Sequence, residues 1–161
     1  MRLQHTIPPF YSADSRVLIL GSFPSVKSRE SGFFYGHPQN RFWRVLAALW
    51  DEDVPQTVAE KRNFLHYHRL AAWDVIAECE IIGSSDASIR GAIPNDLQEI
   101  FSKADIRAVF VNGGTASKLY KKYMKEYPSA VTLPSTSPAN AAWDLQRLVN
   151  AWQIVKEKAE E

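Results

Sequence analysis

Four short apolar runs alternate with helical patterns along this chain, and that order limits the possible folds most. The runs cover residues 16–20, 71–76, 108–111 and 130–133. Each is short and is bounded by polar or turn-forming residues, as is typical of buried strands. Helical spacings of apolar residues cover 38–50, 57–68, 94–103, 115–126 and 137 to the C-terminus. Alternating strands and helices predict an α/β protein whose parallel sheet is covered on both faces.

The length of the chain and the positions of its loops narrow this prediction further. The 161 residues suffice for one hydrophobic core, and no linker or repeat interrupts them, so we expect one domain over residues 1–161. Ligands of such folds bind beyond the carboxyl ends of the parallel strands. The segments that fall at that edge are residues 21–39, 78–94, 112–114 and 134–137.

Two of these loops share the order Pro-x-Asn, at residues 38–40 and 138–140. Proline suits the first position of a helix, where its missing N–H group would have no partner anyway. We therefore expect helices to begin at Pro38 and Pro138, with Ser137 as the N-cap of the second. Asn40 would then lie beside free N–H groups at the positive end of a helix dipole. The two loops are about a hundred residues apart and are predicted to form two lips of one cleft.

Several polar residues lie near the expected cleft. Asp74 ends an apolar run, where it could serve base recognition or catalysis, or could cap neighbouring backbone amides. His37 has no second ligand at metal-binding spacing, which favours a helix-entry or phosphate-contact role. Cys79 is the only cysteine, so an internal disulfide and a cysteine-ligated iron–sulfur cluster are excluded. No metal or other cofactor is expected.

Charge and hydropathy give weaker information. The net charge of +1 argues neither for nor against nucleic acid. The Lys and Arg residues could form a basic surface on one side of the protein or lie on ordinary solvated helix faces, and both interpretations remain open. The N-terminal residues lack an apolar signal core and no run reaches transmembrane length, so a cytoplasmic protein without membrane association is expected. A monomer is expected as well.

Three segments carry a family resemblance, at residues 21–24, 35–43 and 134–140. They resemble the uracil-DNA glycosylase superfamily, and within it the hypoxanthine-DNA glycosylase branch, also called family 6 or DNA-deoxyinosine glycosylase. The resemblance spans Val17 to Trp152. It implies a three-layer α/β/α sandwich with a four-stranded parallel sheet. It also implies a monofunctional base-excision repair enzyme that flips deaminated bases, chiefly hypoxanthine, out of DNA and hydrolyses their N-glycosidic bond.

The same resemblance implies roles for individual residues. Phe23 occupies the position where the uracil enzymes carry an Asp or Asn that activates water, so the catalytic role passes to Asn40. Tyr35 matches the aromatic residue that stacks on the flipped base, and Asp74 falls where the uracil enzymes place a base-reading asparagine. The predicted base-binding residues are Phe23, Tyr35, Asp74 and Asn112. The predicted DNA contacts are Ser22, Ser25, His37, Arg41, Ser135, Thr136, Ser137 and Pro138, and residues 134–140 match the loop that enters the minor groove.

Two alternatives stay open. A mismatch-type uracil or thymine glycosylase shares the Tyr/Phe-x-His-Pro-x-Asn segment, although Phe23 argues against it. A non-catalytic module that binds nucleic acid or nucleobases could keep the cleft without the chemistry. DNA containing deaminated bases is the expected partner of the glycosylase.

Overall fold

The computed structural model describes residues 2–161, which form seven strands and six α-helices. The strands are β1 (Arg2–Gln4), β2 (Val17–Gly21), β3 (Leu70–Asp74), β4 (Ile76–Glu80), β5 (Arg90–Pro94), β6 (Ala108–Asn112) and β7 (Val131–Leu133). The helices are α1 (Val26–Ser31), α2 (Phe42–Leu49), α3 (Val58–Tyr67), α4 (Gln98–Lys103), α5 (Gly114–Tyr123) and α6 (Leu145–Ala159). Among the described residues, no helix is both long and apolar enough to cross a membrane.

The central sheet has four strands in the order β3-β2-β6-β7, and every neighbouring pair is parallel. The predicted parallel sheet is therefore confirmed. Gly21 pairs with Asp74 at the carboxyl end of β2 and β3, and Asn112 pairs with Leu133 at the same end of β6 and β7. Three polar or small residues thus reach one edge of the sheet together.

Alternate residues of β2 pack on opposite faces of this sheet and confirm the three-layer arrangement. Val17 and Ile19 join a buried cluster that includes apolar residues of α2, α3 and α6. Leu18 and Leu20 join a second cluster that includes residues of α4 and α5. All five residues of β2 are buried, as a central parallel strand requires.

A second sheet, antiparallel with the order β1-β4-β5, differs from the prediction. The predicted strand over residues 71–76 is in fact divided, because β3 ends at Asp74 and β4 begins at Ile76 in the other sheet. The Val75 N–H still donates to the carbonyl of Gly21 at 2.8 Å, and Ile76 then pairs with Pro94 of β5 in the antiparallel sheet. The predicted helix from Pro94 begins only at Gln98, and α1 was not predicted.

The two predicted helix starts at proline are also wrong. Helix α2 begins at Phe42, four residues after Pro38, and α6 begins at Leu145, well after Ser137. The N-cap of α6 is Asp144, whose carboxylate accepts the backbone N–H three residues later at 2.8 Å.

Residues 37–40 and 137–140 instead form two β-turns of the same kind. In each turn the N–H of the fourth residue donates to the carbonyl of the first at 3.0 Å. The N–H of the third residue donates to the side chain of the first, which is His37 in one turn and Ser137 in the other, at 3.1 Å. Proline stands second in both, where its fixed φ suits a turn as well as it suits a helix start. The matching register of the two loops was thus correctly predicted, although their conformation was not.

Candidate active site

An open pocket of about 290 Å³ lies at the carboxyl edge of the parallel sheet. Its walls come from the segment after β2, from the aromatic segment before α2, and from the segment between β7 and α6. Residues of both turns line this pocket, as predicted for the two lips. All of the predicted site residues except Arg41 line it.

A hydrogen-bonded chain of three side chains joins the sheet to both lips. Thr136 is fully buried, and its hydroxyl donates to Asn40 Oδ1 at 2.8 Å. Asn112 holds Thr136 from the end of β6, since its Nδ2 donates to Thr136 Oγ1 at 2.9 Å and its Oδ1 accepts the Thr136 N–H at 3.1 Å. Asn40 is therefore supported through a rigid element of the fold.

The orientation of the Asn40 amide follows from its partners. Asn40 Oδ1 also accepts the backbone N–H of Phe42, the first residue of α2, at 2.9 Å, so Asn40 lies just before the N-cap residue Arg41 and not in the first turn of α2. A backbone N–H can only donate, which identifies the facing amide atom as oxygen. Both lone pairs of Oδ1 are then occupied. The Nδ2 group donates to no other group within residues 2–161, and it is the part of Asn40 that a ligand can use.

Arg41 lies behind the pocket and not on its wall. Its guanidinium donates to the carbonyls of Trp143, Ser137 and Asn140, the last two at 2.9 and 3.1 Å. Its backbone N–H donates to the carbonyl of Thr136 at 3.0 Å. The predicted DNA contact of Arg41 does not agree with this placement, because the guanidinium is occupied in holding the second lip on the first.

Tyr35 adopts an unusual backbone conformation on the pocket wall, with φ at +54°. Bulky residues seldom enter the left-handed region, and the strain costs on the order of 1–3 kcal/mol. One face of its ring stacks on Phe42 at a centroid distance of 3.9 Å and an angle of 14°. Its buried hydroxyl has no hydrogen-bond partner among residues 2–161. Burial, helped by the charge of Asp74, raises the pKa of Tyr35 far above its usual value, so the phenol keeps its proton.

Asp74 pairs with a histidine that sequence reasoning did not single out. Asp74 Oδ2 lies 2.8 Å from His5 Nε2, and the two side chains are 6% and 1% exposed. His5 Nδ1 accepts the backbone N–H of Ile7 at 3.2 Å, so the ring proton is carried by Nε2 and is donated to the carboxylate. The alternative role for Asp74, a cap of neighbouring backbone amides, is not observed among residues 2–161.

A second carboxylate, Asp86, was also missed. It lies in a short 3₁₀ turn at Asp86–Ser88 on the loop between β4 and β5, and lines the pocket. Asp86 Oδ1 accepts the hydroxyl of Ser22 at 2.6 Å. Burial raises the pKa of Asp86, and the nearby charge of Asp74 acts in the same direction. The Ser22 hydroxyl, predicted to contact DNA, is thus engaged within the pocket.

The remaining predicted residues are placed as expected around the opening. Phe23 is 7% exposed and contributes an apolar wall. Ser25, His37, Ser135, Ser137 and Pro138 line the rim. Within residues 2–161, no group of three or more His, Cys, Asp or Glu side chains is arranged to hold a metal ion.

Comparison with known proteins identifies a matching family and similar relatives. The family model described as uracil DNA glycosylase superfamily matches residues 8–156. A protein named hypoxanthine DNA glycosylase from Methanosarcina acetivorans is 31% identical over 159 residues, which cover 95% of this chain and 98% of the relative. Another protein of that name, from Methanosarcina barkeri, is 31% identical over 108 residues, or 66% of this chain and 68% of the relative.

The fold has a solved counterpart. A solution NMR structure of a candidate uracil DNA glycosylase from Methanosarcina acetivorans superimposes with a TM-score of 0.82 at 28% identity, and the match covers 100% of both chains. The matched family model extends from before β2 into α6 and so includes both turns and the pocket between them. The chain therefore belongs to the uracil-DNA glycosylase superfamily.

Proposed function

We propose that this protein is a monofunctional DNA glycosylase that hydrolyses the N-glycosidic bond of deaminated bases in DNA, chiefly hypoxanthine in deoxyinosine. The observation that supports it most is the Asn40 amide, held by Thr136 and Phe42 with its Nδ2 left for a ligand. The relatives that cover most of this chain are named for hypoxanthine. DNA containing deaminated bases is the proposed substrate.

The dimensions of the pocket suit a single extruded base. An enzyme that acts on a base inside a duplex must flip it out, at a cost of a few kcal/mol for unstacking and unpairing. The walls of Phe23 and Tyr35 offer aromatic surface that recovers part of this cost. Only one face of Tyr35 is available for stacking, because Phe42 covers the other. The second lip, residues 135–138, would meet the DNA beside the vacated position.

Asn40 has no useful basicity, so its proposed role is to position water. Its Nδ2 would donate to the water oxygen and leave the other lone pair directed at the anomeric carbon. The new bond forms between that oxygen and carbon, the bond to the base nitrogen breaks, and a water proton ends on the departing base. Positive charge develops on the sugar during this step, and the carboxylates of Asp74 and Asp86 give the pocket the opposite charge.

The two alternatives make different demands on the pocket. A mismatch-type uracil or thymine glycosylase would act on a different base. Phe23 argues against it, because an apolar side chain cannot activate water alongside Asn40. A non-catalytic nucleobase-binding module would need no oriented Asn40. Neither alternative has an observation of its own in its favour.

An excision assay tests the proposal directly. Duplexes containing inosine, uracil or xanthine are incubated with purified protein in EDTA, and half of each sample is then treated with alkali. We expect release of free hypoxanthine and an intact strand that breaks only after alkali, with inosine preferred over uracil. Strand cleavage without alkali would indicate a lyase, and preference for uracil would favour the mismatch-type enzyme. Release of no base at all would favour the binding module.

Thr136→Val tests the support of Asn40. The valine keeps the shape but removes the hydroxyl between Asn40 and Asn112, so the amide loses one of its two anchors. We expect the single-turnover rate on inosine to fall about tenfold, and stability to fall by about 1–3 kcal/mol because the Asn112 amide loses its acceptor. Thr136→Ser keeps the hydroxyl and is the matched control. Equal rates for the two variants would contradict the role of this hydroxyl.

We also propose that the protein acts as a monomer. The cytoplasmic location and the single domain over residues 1–161 stay predictions.

A further inference from the structure

We propose that Asp86 is a general acid of the reaction and protonates N7 of the purine as the base leaves. The inference rests on the proposed glycosylase function and adds a proton donor to it. A purine that departs as an anion is a poor leaving group, whereas a proton on N7 lets it depart as a neutral molecule. The Asn40 amide can position water, but it has no proton of suitable acidity to give.

Asp86 reaches the pocket from the loop between β4 and β5, and contacts on both sides of the pocket wall fix that loop. Gly83 and Ser84 each accept a hydrogen bond from α1. Asp86 Oδ1 accepts the hydroxyl of Ser22 at 2.6 Å. Ser22 is 6% exposed, and both residues line the pocket. The carboxyl group is therefore held at the pocket wall by its own side chain and by its neighbours in the loop.

One carboxyl oxygen of Asp86 is available to a ligand. Oδ2 accepts no hydrogen bond from residues 2–161, and no Lys, Arg or His in that range forms an ion pair with Asp86. Asp74, the other carboxylate of the pocket, differs because it is bound by the Nε2–H of His5. Within the same range no hydrogen bond joins Asp86 to Asn40 or Thr136, so a proton can leave Asp86 without disturbing the amide that positions water.

The surroundings of Asp86 favour the protonated carboxyl. Burial raises its pKa and the negative charge of Asp74 acts in the same direction, whereas the hydroxyl of Ser22 opposes them. Bound DNA would bring phosphate charge and exclude water, and both effects raise the pKa further. Two carboxyl groups in different environments are typical of sites that divide acid and base roles. The titratable or charged groups around Asp86 are Asp74 with its partner His5, Tyr35, His37, Cys79 and Arg29.

In the proposed step, the O–H bond of the Asp86 carboxyl breaks and an N7–H bond forms. The electrons of the bond between the sugar carbon and N9 stay with the purine, which leaves as neutral hypoxanthine. Asp86 is then a carboxylate while the sugar is cationic, and it stabilises that charge. Water held by Asn40 adds to the sugar carbon, and the proton that this water releases restores the Asp86 carboxyl through solvent.

Asp86→Asn tests the inference, because asparagine keeps the shape and an acceptor for Ser22 but cannot act as an acid. We expect the single-turnover rate on inosine to fall by about a hundredfold, as is typical when a general acid is lost. Binding to a duplex with an uncleavable 2′-fluoro analogue of deoxyinosine should change little. The wild-type rate should fall as pH rises through the pKa of Asp86, since only the protonated carboxyl is active, and the variant should lack this fall.

A duplex with 7-deaza-deoxyinosine identifies the atom that receives the proton. This analogue keeps N1–H and O6 of hypoxanthine but carries a C–H group in place of N7. A protein that acts through N7 gains nothing from Asp86 on this substrate. We therefore expect wild type and Asp86→Asn to release the analogue equally slowly, whereas they differ by about a hundredfold on inosine. An equal fractional loss on both substrates would overturn the inference.

Arg29→Gln distinguishes this role from a purely structural one. Arg29 holds the same loop through the Gly83 carbonyl, and among residues 2–161 it forms no hydrogen bond or ion pair with Asp86. If Asp86 only fixed the loop, both variants would lower the rate and keep the wild-type pH dependence. We expect Arg29→Gln to keep that dependence and Asp86→Asn to lose it, with melting temperatures showing that both variants fold.

The outcomes separate this inference from the proposed function. Release of hypoxanthine by Asp86→Asn at the wild-type rate, or with the wild-type pH dependence, would overturn the inference and leave the proposed function intact. Release of no base by wild type would overturn both.

Discussion

Replacement of Asn40 by alanine is expected to lower the single-turnover rate of inosine excision by roughly a hundredfold or more, while affinity for the duplex changes little. A hundredfold corresponds to about 2.7 kcal/mol, the size found when one well-placed polar contact in a transition state is removed. The structure identifies the group that is lost. It is the Nδ2 of an amide whose oxygen is already held by Thr136 and Phe42.

Stability must be measured alongside, because Asn40 also caps the first N–H of α2. Loss of that cap costs about 1 kcal/mol. Asn140→Ala is the matched control, since Asn140 occupies the same position of the second turn, does not line the pocket, and donates to the carbonyl of Ser135 at 3.0 Å. It should lose some stability and little activity. A folded Asn40→Ala protein with near-normal cleavage would show that Asn40 only caps the helix, and would make Asp74 the next candidate.

Sequence reasoning located the pocket because the signals there are local. Four short apolar runs of four to six residues predicted the parallel sheet. Parallel strands bring Gly21, Asp74 and Asn112 to one edge of the sheet independently of the loop conformations. The equal Pro-x-Asn order at Pro38 and Pro138 predicted two matching loops. Proline fixes one backbone angle only, and that angle fits a helix start and a turn alike. The predicted helix starts at Pro38 and Pro138 were therefore wrong, although the matching positions of the two loops were correctly predicted.

What remained hidden depends on contacts between distant segments. His5 lies 69 residues from Asp74, and it reaches that carboxylate because β1 pairs with β4 in a sheet that has no strong local sequence pattern. Asp86 lies on an exposed loop, where a carboxylate is ordinary until Ser22 is seen to donate to it. Arg41 was one of the predicted DNA contacts. Only the three carbonyls around its guanidinium reveal its structural role.

Gly21→Ala is expected to reduce inosine excision by roughly a hundredfold and to lower the melting temperature. The added methyl would lie 2.4 Å from Asp74 Oδ1, a distance that no stable contact allows. The carboxylate cannot retreat, because His5 holds it from behind at 2.8 Å. It must move off the base edge, and a displacement of about 1 Å in an active site can cost a hundredfold in rate.

Gly114→Ala is the matched control for this substitution. Gly114 begins α5 at the same edge of the sheet, and a Cβ there meets nothing within 4 Å. Alanine at Gly114 should leave the rate unchanged and stabilise the fold by about 0.4–1 kcal/mol, since it restricts the unfolded chain.

The double variant Gly21→Ala/Asp74→Ser separates lost folding from lost recognition. The shorter serine removes the collision at Oδ1, so the melting temperature should recover, whereas excision should stay low because the carboxylate that is predicted to bind the base is gone. Recovery of both would mean that the carboxylate matters only for packing. Normal excision by Gly21→Ala alone would mean that Asp74 can move without consequence, and that the base edge is read by another group.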